Sequence, residues 1–243
     1  MKNIFCILIV IAGINVAAVC QKPSATPAKV PAGVPVKPGT SLRSSAAAAK
    51  PDAGTVSGRT YTSTQFGFDV QFPDTWLIPG PDFEDYMRQQ GFDLHVVDTA
   101  ALGPANAARF KKQVTILLTA YRSMPGTEDN ATAIIAVENL ALNPQIKDAV
   151  DYIDAVRAPL VKAKLPSGMT VSETEAEQLG AMQFAYLDTA NGKQKRRMYA
   201  TVRKGYAIMF TLAYTDNDDL TTFRRVLEEG NFALNADAAT KTN

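Results

Sequence analysis

Cysteine is nearly absent from this chain: among 243 residues only Cys6 and Cys20 occur. Disulfide stapling, thiol catalysis and Cys-ligated zinc are therefore excluded for everything after residue 20. Histidine is scarcer still. His95, in Asp93-Leu94-His95-Val96-Val97-Asp98, stands alone, which excludes a His-rich metal site and weakens any Ser–His pair. We read it as a hydrogen-bonded or surface residue of an alternating strand. No Gly-x-Ser-x-Gly elbow, phosphate loop or dinucleotide fingerprint occurs. The chain is thus expected to carry no catalytic residue, no metal ligand and no cofactor.

Aromatic residues are missing from the first quarter. Apart from Phe5, none precedes Tyr61, so a packed core is expected only beyond residue 58. The remainder, roughly 175 residues, suits one core and therefore one domain, which we place at 59–235 with a flexible tail at 236–243. Concentrated positive charge is missing too. Residues 1–58 hold six Lys/Arg against one Asp, leaving 19 Lys/Arg and 23 Asp/Glu beyond them. A mildly acidic domain with interspersed signs is a poor nucleic-acid ligand, so no nucleic-acid partner is expected. The basic excess lies in the leading segment, where it offers weak attraction to an anionic membrane surface.

What the N-terminus does contain is an export pattern. Met1-Lys2-Asn3 is a short basic start and Ile4–Val19 an almost unbroken apolar run. At 1.5 Å per residue that run falls short of the ~20 residues of a stable membrane helix, so a signal peptide over 1–20 fits better than a permanent anchor. Val16-Ala17-Ala18 offers small residues for cleavage, and Ala18-Val19-Cys20 offers a second site. Cys20 also opens a lipoprotein route, with a lipid on the new N-terminal Cys, although Val19 is bulkier than the residue that usually precedes such a Cys. Both routes lead out of the cytoplasm, to a periplasmic or extracellular place. Six prolines and the run Ala46–Ala49 then mark 21–58 as a disordered Pro/Ala-rich tether.

The domain opens on Phe66, Phe68, Val70 and Phe72 in strict alternation, a half-buried strand stopped by Pro73. Trp76-Leu77-Ile78 predicts a brief second strand and Phe83–Gln90 a short helix. Lys112–Tyr121 and Thr132–Leu140 predict an antiparallel pair. Asn143-Pro144 predicts the start of a helix with Ile146, Val150, Ile153, Val156 (or Arg157) and Leu160 as its apolar stripe, bent or ended by Pro159. Three strands follow, Met182–Asp188, Lys195–Arg203 and Tyr206–Tyr214, joined by turns at Asn191-Gly192 and Lys204-Gly205. Asp216 to Asp219 cap a last helix with Leu220, Phe223, Val226 and Leu227 on one face, closed by Gly230. The order predicts an α+β fold: an antiparallel β-sheet flanked by helices.

The opening "YTSTQFGFDVQFPDTW", the central hairpin followed by a helix, and the ending "RRMYATVRKGYAIMFTLAYTDNDDLTTFRRVLEEGNF" together resemble a PsbP-like domain. The similarity covers residues 59–235 and implies an α/β/α sandwich around an antiparallel sheet. It also implies a domain that binds or helps assemble other proteins, without a shared catalytic motif. No residue role carries over from it.

Two charge clusters remain. Asp216-Asn217-Asp218-Asp219 lacks EF-hand spacing, because Leu220 stands where an oxygen ligand is needed, and helix capping accounts for it. Lys193, Lys195, Arg196 and Arg197 gather beside one hairpin turn, with Arg203 and Lys204 at the next. A solvated, charge-protected hairpin edge is the plain account of them; the functional one is a surface for an acidic partner or small anion. The asparagine of Asn130-Ala131-Thr132 forms a glycosylation sequon expected to be idle. The expectation for the whole is a non-catalytic exported binding or assembly module of the cell envelope, with an unidentified protein partner. A small-ligand carrier and an enzyme with an unrecognised site stay open, and a pocket of convergent polar groups would favour either.

Overall fold

The computed structural model describes residues 51–80, 82–89, 113–125, 130–162, 165 and 167–232. The expected signal peptide at 1–20 with Cys20, the expected tether up to residue 50, His95 and the expected tail at 236–243 lie outside the described residues. The first strand, β1 (Thr55–Ser57), falls ahead of the expected domain start at 59. Three residues of modest hydrophobicity gave no alternating signal, and it is pairing with β2 (Thr60–Ser63) that makes them a strand.

β3 (Phe68–Gln71) pairs antiparallel with β2, and the three strands form a small sheet. Phe68 and Val70 point inward while Asp69 and Gln71 point away, as period-two alternation requires. Leu77 makes only an isolated bridge to Tyr121 where a second short strand was expected. Helix α1 runs Phe83–Gln89.

The main sheet has seven strands. β4 (Val114–Tyr121) and β5 (Thr132–Asn139) form its first antiparallel pair. β8 (Met182–Asn191), β9 (Gln194–Arg203) and β10 (Tyr206–Tyr214) form a meander. β10 lies against β5, giving the order β4-β5-β10-β9-β8. Two short strands, β6 (Met169–Val171) and β7 (Glu175–Leu179), line the far side of β8.

Side-chain alternation divides this sheet into two faces. Ile208, Phe210, Leu212 and Tyr214 of β10 join Phe68, Val70, Phe72 and Trp76 in one core, so the opening and closing motifs of the domain are buried together. Helix α3 (Asn217–Glu228) covers it with Phe223, Val226 and Leu227. Asp216 caps this helix, its side chain accepting from the Asp218 N–H at 3.0 Å. Gly180, between β7 and β8, sits at φ +56 with an added Cβ 2.3 Å from the Glu228 carbonyl oxygen. Only glycine lets that turn meet the end of α3.

The opposite face carries Ala207 and Met209 of β10 with Met198 and Ala200 of β9 under helix α2 (Ala149–Lys162). The start of α2 corrects the sequence reading. Asn143 closes a 3₁₀ turn over Leu140–Leu142, and the α-helix begins only after Asp148, whose carboxylate accepts from the Asp151 N–H at 2.8 Å. Asp151 in turn accepts from the Lys147 N–H at 3.0 Å. This reciprocal carboxylate cap satisfies more backbone donors than Asn143-Pro144 could. The later start rotates the buried stripe onto Tyr152, Ile153, Val156 and Leu160, and Val150 is exposed. Pro159 stands inside the helix without ending it.

Candidate partner surface

Strand β9 carries most of the predicted cations, and its alternation sorts them. Lys195, Arg197, Tyr199 and Arg203 share the α3 side, while Arg196 and Met198 share the α2 side. The eight-residue span from Lys195 to Arg203 places those two about 26 Å apart at ~3.3 Å per residue. The six cations therefore do not form one patch. They occupy two ends and two faces.

At the β9–β10 end the backbone turns tightly through Lys204 at φ 51 and Gly205 at φ 77, both in the left-handed region that a type I′ hairpin demands. Arg203 Nη1 donates to the carbonyls of Phe232 at 2.8 Å, Gly67 at 3.2 Å and Phe66 at 3.4 Å. Lys204 Nζ donates to the Gln65 carbonyl at 2.7 Å. These two cations latch the β2–β3 turn and the chain after α3 onto the main sheet.

At the β8–β9 end, Asn191 pairs with Gln194, so the two-residue loop is Gly192-Lys193, with Gly192 at φ 60. The turn thus lies one residue later than expected, because glycine takes the first loop position. Lys193 is exposed and has no partner among the described residues. Lys195 Nζ donates to Asn217 Oδ1 at 2.9 Å, its one side-chain hydrogen bond among the described residues.

Arg197 differs from its neighbours. Its Nε donates to Asp188 Oδ1 at 2.8 Å, directly across the β8–β9 ladder. Its guanidinium carbon lies 4.1 Å from the centre of the Tyr186 ring, a cation–π contact. Tyr199 donates to Glu177 at 2.7 Å, and Arg224 of α3 pairs with the same carboxylate. Burial pulls the Arg197 proton affinity down, but Asp188 and Tyr199 outweigh it and raise it. Burial and the hydrogen bond to Glu175 push the Tyr186 hydroxyl up to about 12. Arg197 is therefore a structural cross-link. Tyr186, Glu177 and Arg224, its surroundings, were not singled out by sequence. Correct pairing of Asp188 with Arg197 was the one signal that could have found them.

Two buried polar groups complete the picture. On the α2 side Tyr152 donates to the buried Glu138 at 2.8 Å, and burial followed by that carboxylate raises the tyrosine's pKa. On the α3 side Asp219 is not a cap residue in the expected sense: it is buried, with Oδ1 2.8 Å from Arg122 Nε. Burial raises its pKa and the Arg122 charge only partly offsets this. The sequon residue Asn130 uses its amide to bracket Ser123, accepting from its N–H at 2.9 Å and donating to its carbonyl at 3.0 Å.

No family model matches the chain, and no curated protein matches it. Among solved structures it is similar to LpqN of Mycobacterium tuberculosis, described as involved in cell envelope biogenesis. The identity is 16% with a TM-score of 0.37, over 68% of this chain and 82% of that one. It is similar also to the PsbP of the cyanobacterium Synechocystis, CyanoP, at 15% identity and a TM-score of 0.38, over 73% of this chain and 96% of that one. No activity, partner or residue role passes from either protein to this chain.

Proposed function

We propose that this is a non-catalytic exported module of the cell envelope that acts by surface contact, through the tip of the β8–β9 hairpin. One observation carries the reading. Of the six candidate cations, Arg197, Arg203 and Lys204 are committed to partners within the domain, whereas Lys193 at the tip is exposed and unpaired among the described residues. Lys195 beside it is held by a single neutral amide oxygen. Cations left unneutralised on an otherwise acidic domain favour an acidic protein partner and speed its encounter.

The apolar run before residue 20 and the tether after it support delivery to the envelope, by soluble export or by a lipid at Cys20. The test is capture of partners from envelope extract by the parent protein and by a Lys193→Glu, Lys195→Glu double variant. The reading expects a captured protein that is lost on reversal, while the melting temperature stays close to the parent's. Identical capture by both removes the hairpin tip as the contact surface. A turnover abolished by one polar substitution would replace the non-catalytic reading.

A further inference from the structure

The segment between β5 and α2 carries apolar side chains on its outside. Leu142 is 65% exposed, the highest value among the large hydrophobic side chains of the described residues. Ala141, Pro144 and Val150 are exposed with it. One exposed apolar residue is ordinary, whereas four within ten residues call for a cause. The local structure shows how they are held out. Asn143 and Ile146 are buried and pin the segment at two points. The Asn143 N–H donates to the Leu140 carbonyl at 2.8 Å, and the Ile146 N–H to the Asn143 carbonyl at 3.0 Å. The acids of the segment fold back onto backbone donors, Asp148 onto the Asp151 N–H and Asp151 onto the Lys147 N–H. Lys147 itself is exposed.

The neighbours of this segment point to what meets it. The Leu140 N–H donates to the Gly205 carbonyl at 2.9 Å, beside Lys204, whose Nζ donates to the Gln65 carbonyl. Gln65 Oε1 in turn accepts from the Asp52 N–H at 2.7 Å, and the Tyr61 hydroxyl donates to the Ala53 carbonyl at 2.9 Å. An unbroken series of bonds thus links the apolar segment to the place where residues 1–50 join the domain. Those fifty residues hold the apolar run 4–19 and six Lys/Arg without one Asp or Glu. An apolar run and positive charge together suit a bilayer with anionic headgroups.

We propose that residues 141–150 form a docking surface for an anionic lipid bilayer, the one that the leading residues reach. Leu142, Pro144 and Val150 enter the headgroup boundary and Lys147 meets lipid phosphates. The turn is already fixed by its own hydrogen bonds, so docking costs little ordering entropy. The β9–β10 turn at this end and the β8–β9 tip lie at opposite ends of β9. A docked base therefore holds the tip clear of the lipid. The inference goes beyond the hairpin-tip reading and stands without it.

The test is amide hydrogen exchange of the full chain, free and with vesicles of phosphatidylethanolamine and phosphatidylglycerol, read by mass spectrometry of its peptides. Several-fold slower exchange across 141–150 is expected with vesicles, and no change across the β8–β9 tip. Leu142→Gln with Val150→Gln should return the segment to its free rate, although the apolar run 4–19 still holds the chain on the lipid. Both residues are exposed, so the melting temperature of that variant should match the parent's. Leu142→Ile, which keeps the apolar surface, should keep the slowing. Exchange across 141–150 that vesicles leave unchanged overturns the proposal, as does slowing that survives the double variant. Slowing that needs no lipid overturns it too. If it grows with protein concentration, a second copy covers the segment; if it follows only the addition of lipid-free envelope proteins, a protein partner does.

Discussion

The two ends of strand β9 carry similar residues and do different work. At one end Arg203 and Lys204 are spent on backbone carbonyls of two distant segments. At the other, Lys193 has no partner among the described residues and Lys195 only an amide oxygen. In the sequence all six cations look like one basic hairpin edge. A cation's role is set by which oxygens the fold brings to it, and a carbonyl that has lost water gains from a charged donor too.

Several substitutions break or sharpen this contrast. The largest effect expected belongs to neither end. Trp76→Ala should cost about 3–5 kcal/mol in denaturant melts, because Trp76 is fully enclosed in the core that both ends border. It sets the ceiling. Arg197→Ala, which removes the cross-strand ion pair and the contact with the Tyr186 ring, should cost about 2 kcal/mol, because Asp188 keeps access to water. Arg203→Ala should cost about 2 kcal/mol, since it leaves the carbonyls of Phe66, Gly67 and Phe232 short of a charged donor. Lys193→Ala at the opposite end should fall within about 0.5 kcal/mol of the parent. An Arg203→Ala melt indistinguishable from that of Lys193→Ala would abolish the distinction between the two ends.

A smaller effect tests the neighbourhood of Lys195. Asp219 opens α3 close to Asn217, and burial lifts its folded pKa above the ordinary carboxyl value. Its folded form therefore holds a proton more tightly than its unfolded form. The associated stability is present below the unfolded pKa and is lost as pH rises through the raised folded value. The stability of Asp219→Asn relative to the parent should accordingly increase between about pH 3 and about pH 7. Paired urea melts across that range check the sign; a relative decrease would mean that Arg122 dominates over burial.

Much of the fold was legible because its strongest signals are local. Alternating Phe68-Val70-Phe72, the three long strands of the meander and the Asp216-capped helix follow from period and cap chemistry that need no tertiary knowledge. β1, β6 and β7 were not legible: segments such as Glu175–Leu179 are short and mostly polar, and become strands through the neighbour they pair with. The helix start at Asp148 was missed because two plausible caps compete within a few residues, and burial of Ile146 and Tyr152 decides between them.

The candidate surface was legible in composition and not in partners. Reading the loop as Asn191-Gly192 would set Asp188 opposite Lys195, while the observed Gly192-Lys193 loop sets it opposite Arg197. That slip keeps every side chain on its face but exchanges which cation is neutralised. One residue in the turn therefore decides whether Lys195 or Arg197 faces Asp188.

The most direct measurement compares reversal at the two ends of β9 in one capture experiment from envelope extract. Lys193→Glu with Lys195→Glu is set beside Lys204→Glu, each at rising salt. The account predicts that reversal at the β8–β9 tip abolishes capture and its salt dependence, while Lys204→Glu captures as the parent does. Loss of capture with Lys204→Glu alone, at an unchanged melting temperature, would contradict it.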